Sequence, residues 1–118
     1  MQRVSRPEFT ERFPVLMPAW RIHGIQSQKV ILERDAAVAG ILEDGLEVRG
    51  GVKAIVHGII KGSVLVETGA VVHLDGIVKG NVDVRGAACL SGIIGSLCAA
   101  EDAVICLDAM QSSKNSAA

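Results

Sequence analysis

Apolar residues recur along this chain with a step of six. Leu42, Val48, Ala54, Ile60, Val66, Val72, Val78, Val84 and Leu90 form one unbroken apolar series. A second series with the same step, Leu46, Val52, Gly58, Val64, Ala70, Gly76, Val82 and Ala88, holds only aliphatic or small side chains. Three steps make eighteen, and the text itself repeats at eighteen: His57-Gly-Ile-Ile-Lys-Gly-Ser-Val64 stands above Asp75-Gly-Ile-Val-Lys-Gly-Asn-Val82. A fixed internal period is the signature of stacked units, each touching only its neighbours. Within a unit, Val and Ile alternate with other residues over three to five positions and the run then stops at Gly. That alternation belongs to a strand with one buried face. Glycines this close together exclude helices, since each costs a helix interior about 1 kcal/mol. The expected fold is all-β: a single-stranded, three-sided β-helix with three short strands per coil. Its coils would stack about 4.8 Å apart, with the aliphatic columns as a narrow core.

The period fixes the organisation. Residues 1–20 precede the repeat, 21–108 form the β-helix domain of about five to six coils, and 109–118 are a polar, flexible tail. Ile22-His23-Gly24-Ile25 echoes the later copies and starts an incomplete first coil. The next coil, from Val30 to Leu46, spans sixteen residues rather than eighteen, so the register slips there. Asp44-Gly45 and Gly50-Gly51 mark turns. The coils starting at Leu46, Val64 and Val82 are the most regular; after Gly92 the repeat shortens, and a last coil runs from Leu97 to Leu107. Between the inward positions, Leu65, Val71 and Ile77 point outward and offer a wall to a partner.

Residues 1–20 hold all three aromatic residues, Phe9, Phe13 and Trp20, and all three prolines. A short helical stretch is expected over residues 8–13 after Pro7, with Phe9 and Phe13 on one face. Two roles suit this segment. It can cap the open apolar end and unpaired strand edges of the first coil. It can also dock a membrane surface or a partner through Phe9, Phe13, Leu16 and Trp20, with Arg3, Arg6 and Arg12 beside them.

Composition narrows the function classes. In 118 residues, 49% are hydrophobic, yet only three are aromatic, which suits a thin solenoid core better than a globule. Twelve basic residues against thirteen acidic ones, interspersed, give no basic stripe for nucleic acid. No signal peptide is expected from Met1-Gln-Arg-Val-Ser-Arg-Pro-Glu8, which points to a cytoplasmic protein with reduced thiols. Cys89, Cys98 and Cys106 have spacings that match no common zinc pattern and read as small hydrophobes of core or wall. The uncharged run from Gly86 to Ala100 is too short for a bilayer span.

Candidate chemistry is sparse. The eighteen-residue register puts His57 beneath Asp75, and His73 beneath Ser91. Neither pair has a third member, and no nucleophile elbow or phosphate loop is present. The expectation is a protein with no catalytic residues, no cofactor and no metal.

The stretch Gly58-Ile-Ile-Lys-Gly-Ser-Val64, its copy Gly76-Ile-Val-Lys-Gly-Asn-Val82 and the shortened Gly92-Ile-Ile-Gly-Ser-Leu97 resemble the repeats of the bactofilins, the bacterial polymer-forming cytoskeletal family. The likeness covers about residues 22–108. It implies a right-handed β-helix that polymerises end to end without nucleotide, often on the inner membrane. Its partner would be itself, meeting through the ends at Trp20 and Ile22 on one side and Val104 and Leu107 on the other. The Cys-bearing last coils and the long N-terminal segment depart from the family pattern. Two alternatives share the texture: a non-catalytic module that binds a protein partner with a flat wall, and the left-handed β-helix acyltransferases and γ-class carbonic anhydrases. The latter need trimer-shared histidines and a protruding loop, for which this chain offers no match.

Overall fold

The fold follows from the six-residue step, because a strand that buries every second side chain and bends at each small residue must close on itself. The computed structural model describes residues 2–14 and 20–107. In chain order the elements are β1 (Gln2–Arg3), α1 (Arg6–Arg12), β2 (Arg21–Gln26), β3 (Val30–Leu32), β4 (Ala36–Leu42), β5 (Gly45–Val48), β6 (Lys53–Val56), β7 (Ile59–Ile60), β8 (Ser63–Val66), β9 (Val71–Val84), β10 (Ala87–Ala99) and β11 (Val104–Leu107). Every pairing between them is parallel. Parallel stacking of successive coils makes a β-solenoid of about five turns.

The solenoid has three walls. The first runs β2-β4-β6-β9-β10-β11-β1. The second joins residues 25–26, 41–42, β7, 77–78 and 93–94. The third joins β3, β5, β8, 81–84 and 96–99. All nine residues of the series from Leu42 to Leu90 are buried in one continuous core, with Leu46, Val52, Val64, Ala70, Val82 and Ala88 beside them. The sixteen-residue coil is present as well: Val30 pairs with Leu46.

The eighteen-residue register then holds from Ala36 to Val84, as in Ala36–Ala54–Val72. Past Val84 it fails. Val71 pairs with Ala87, and Val82 with Leu97 across a bulge between Ile94 and Ser96. The cause is local. The turn Glu67-Thr68-Gly69-Ala70 is reduced to Arg85-Gly86 one coil later, and the bulge removes one more residue from the next coil. His73 therefore stacks on Cys89, not on Ser91, and Ser91 stacks on Asp75. The expected His73–Ser91 pair does not form.

One corner is built entirely of glycine. Gly24, Gly40, Gly58, Gly76 and Gly92 are register partners. A Cβ on any of the last four would collide with the carbonyl oxygen of the glycine in the coil before. Only a residue without a side chain lets successive coils approach this closely.

Candidate functional site: coil ends and outer walls

The end at the last coil is finished by the other end of the chain. β1 lies beside β11, with Gln2 opposite Val104 and Arg3 opposite Ile105. The Gln2 amide donates to Ala103 (2.7 Å) and the Val4 amide to Ile105 (2.9 Å). Residues 2–13 thus extend the last coil and do not cover the first, which corrects the expected cap. Val104 sits between Ala87 and Gln2, so it is an interior strand residue, and β1 is the outermost strand of this wall. The backbone of Leu107 pairs with Leu90.

α1 then lies on the outer face of the first wall. Proline occupies its first turn, as the sequence suggests, and Ser5 caps it by accepting from the Glu8 amide (3.3 Å). Phe9 is fully buried against Val71, Ala87, Cys89 and Cys106, with Val4, Phe13 and Val104 around the edge. Its ring meets Phe13 at 4.9 Å and the edge of His73 at 5.2 Å. Phe9 was a candidate for membrane or partner docking; enclosed in this way, it offers nothing to either. Phe13 is half-buried beside it, and Leu16 lies outside the described residues. Val71, expected on an outward wall, is covered by the same segment, whereas Leu65 is half-buried and Ile77 is exposed.

The end at the first coil is different. β2 is the outermost strand there. Ile22 packs on the core but is half-buried, while Ile25 and Ile31 are 63% and 48% exposed. Trp20 is exposed and stacks under the Arg34 guanidinium at 4.5 Å. Both border an open depression of about 550 Å³ with Glu33, Asp35, Gly50, Gly51 and Val52. Of the four expected end residues, Trp20 and Ile22 are at an end, and Val104 is one strand in from it.

The walls carry charge in ladders. On the third wall Glu47 is nearly buried and receives Lys29 at 3.2 Å and Arg49 at 2.9 Å; Arg49 also reaches Glu67 at 3.8 Å. A hydrogen bond shared with Glu67, together with those from Lys29 and Arg49, holds the Glu47 carboxyl below its ordinary value. The Arg49 guanidinium is correspondingly raised by its bond to Glu47 and by Glu67. At a corner, His57 Nδ1 lies 3.8 Å from Asp75, the neighbour the period foretold, with both side chains largely in water. Cys89 and Cys106 are buried and adjacent in register under Phe9, and Cys98 is exposed. Among the described residues, no group of three or more His, Cys, Asp or Glu is arranged to hold a metal ion. No described helix is long and apolar enough to cross a membrane.

The second wall holds a feature that the inward periodicity does not reveal. Ile25, Ile41, Ile59, Ile77 and Ile93 are register partners down the whole solenoid, one per coil, and all face outward. Ile25, Ile77 and Ile93 are exposed, and Ile41 and Ile59 are half-buried. The signal is in the text: the dipeptide Gly-Ile recurs at 24, 40, 58, 76 and 92. A search for core residues passes over it, because its isoleucines fall between the buried positions.

Comparison with known proteins adds no relative: no family model, no curated protein and no solved structure matches this chain.

Proposed function

We propose that this protein is a non-catalytic structural scaffold, similar to the bactofilins, that self-associates through the ends of its β-helix without nucleotide. One observation supports this reading most. Among the described residues, the first wall begins with β2 and ends with β1, and both are outermost strands of the same all-parallel sheet. An outermost strand carries a row of unsatisfied amide and carbonyl groups. Stacking one copy on another head to tail would add the β2 edge to the β1 edge in the parallel sense already used throughout. The two edges are different surfaces, so the contact is heterologous and does not close; repeated, it makes a filament. The N-terminal residues fit this reading as the strand that sets one polymer interface, since Phe9 is committed to the fold. The proposed place of action is the cytoplasm, where contact with the inner membrane would be peripheral.

The test is sedimentation and negative-stain microscopy of the full chain across salt and concentration, beside Ile22→Asp, which puts a charge on the β2 end. Filaments from the parent chain, and none from a variant with an unchanged circular-dichroism spectrum, are the expected result. A parent chain that stays monomeric throughout would remove the scaffold reading.

A further inference from the structure

The isoleucine column on the second wall is not accounted for by end-to-end contacts, because it runs along the stacking axis rather than across an end. Five outward isoleucines spaced at about 4.8 Å form a straight apolar ridge about 19 Å long. A column of this kind is unusual on a solvated wall, where lone apolar residues are scattered. Its borders are polar and unequal. Two residues before each isoleucine stand His23, Ala39, His57, Asp75 and Ser91; two residues after stand Ser27, Glu43, Lys61, Lys79 and Gly95. His57, Asp75, Lys61 and Lys79 are all exposed.

Three occupants can be weighed. An anionic lipid surface is disfavoured, because Lys61 and Lys79 are balanced by Glu43 and Asp75 along the same ridge. Residues 108–118 contain one large apolar side chain, Met110, too few to cover five isoleucines. A second copy of the same wall matches on both counts. Its ridge has the same spacing, so the two isoleucine columns can meet residue on residue, coil by coil. A twofold axis parallel to the stacking axis, passing over the column, brings the border that follows one ridge against the border that precedes the other. Lys79 then faces Asp75 of the second copy, and Lys61 faces its His57, with that Asp75 one coil away. The opposite choice, an axis along the strands over the central coil, also pairs Lys79 with Glu43 but sets Lys61 against Lys61 and His57 against His57, like pairs that the first arrangement avoids. Charge complementarity selects the first arrangement.

We infer that the isoleucine wall is a lateral self-association surface, on which two copies meet face to face with parallel stacking axes. The wall offers roughly 400 Å² per copy from five coils and five residues of strand width. That is about half of a standard interface side, so a single pair is weak and reversible. If end-to-end contacts also form, each added copy contributes another such patch and the lateral contact becomes multivalent. The inference does not need them: a lateral pair forms whether or not filaments do.

Cross-linking distinguishes the cases. Ile93→Cys, made in a Cys98→Ser background, is expected to give a covalent dimer on mild oxidation, because each Ile93 faces its own copy across the axis. Ile25→Cys is expected to do the same. Dimers only when the two variants are mixed would mean antiparallel packing and would overturn the proposed arrangement. In sedimentation at concentrations where end-to-end contacts are broken by Ile22→Asp, Ile77→Lys is expected to weaken the dimer about tenfold or more. Asp75→Lys is expected to weaken it as well, and Asp75→Lys with Lys79→Asp to restore it. Ile77 is on the surface, and an unchanged melting curve checks that its variant is folded. No self-association of the Ile22→Asp protein at any concentration, or phosphatidylglycerol vesicles captured through Ile77 instead, would overturn the inference.

Discussion

Among single residues, the corner glycines and Phe9 are the least replaceable, for opposite reasons. At Gly58 any side chain meets the backbone of Gly40, which cannot swing aside as a side chain would. Gly58→Ala is expected to cost about 3 kcal/mol, read by urea unfolding, since the strain must be taken up by a coil interface. Gly24 is the informative contrast. Nothing lies within 4 Å of a Cβ there, so Gly24→Ala carries only the strain of its φ of 77° and is expected to cost far less. Phe9 fills space rather than vacating it: Phe9→Ala is expected to cost about 3–5 kcal/mol. It is also expected to open Cys89 and Cys106 to a thiol reagent that otherwise reacts quickly only with Cys98. Glu47 gives a pH dependence. Its carboxyl titrates below the ordinary value of 4.5, so the folded state prefers it ionised and its contribution is present above that value. The contribution disappears as pH falls through the lowered folded value. Glu47→Gln should be less stable than the parent at neutral pH, and the difference should narrow on acidification below the ordinary carboxylate range, as followed by thermal melts at stepped pH.

Elements divide into those whose partners repeat and those whose partners do not, and this division sets what the sequence makes legible. The coil strands were readable because each carries its neighbour's spacing: Leu42 to Leu90 announces a core column without any long-range information. The sixteen-residue coil from Val30 to Leu46 was legible in the same way. The helix near Pro7 was also legible, from the local chemistry of Pro7, though its cap at Ser5 was not. Its docking place was not. β1 is two residues long and belongs to no repeat, so nothing in its text says that its neighbour is β11 rather than the first coil. The His73 pairing failed because a shortened turn at Arg85-Gly86 moves the register by two residues while leaving the alternation intact. Of the outward isoleucines only Ile77 was legible, and the column escaped because the periodicity that reports burial is silent about the residues in between. At this scale the expectation is that removing residues 1–13 strips β1 and α1 together, exposing the apolar patch around Val71 and Ala87. That variant should bind a hydrophobic dye and melt at lower temperature than the parent.

The molecule as a whole measures 34 × 30 × 20 Å, so it is about as broad as it is tall. A five-coil solenoid of this shape gains its stability from interfaces between neighbouring coils, and its two end coils each lack one such interface. The first wall deals with this asymmetrically. At one end the outermost strand is part of the winding coil; at the other it is borrowed from the start of the chain. Apolar surface stays exposed at the first coil, at Trp20, Ile25 and Ile31, and along the second wall, at Ile77 and Ile93.

The pairing of β1 with β11 also orders events in time. Every other contact in the sheet joins segments that are one coil apart in sequence, so each coil has its neighbour as soon as the next one is made. β1 is made before every coil and needs a strand that follows about a hundred residues later. Loop closure over that separation comes after the local contacts are in place. Until then Phe9 has no pocket and the last coil has no final strand. Completion of the sheet at this end thus waits until β11 has been made, however early β1 is available.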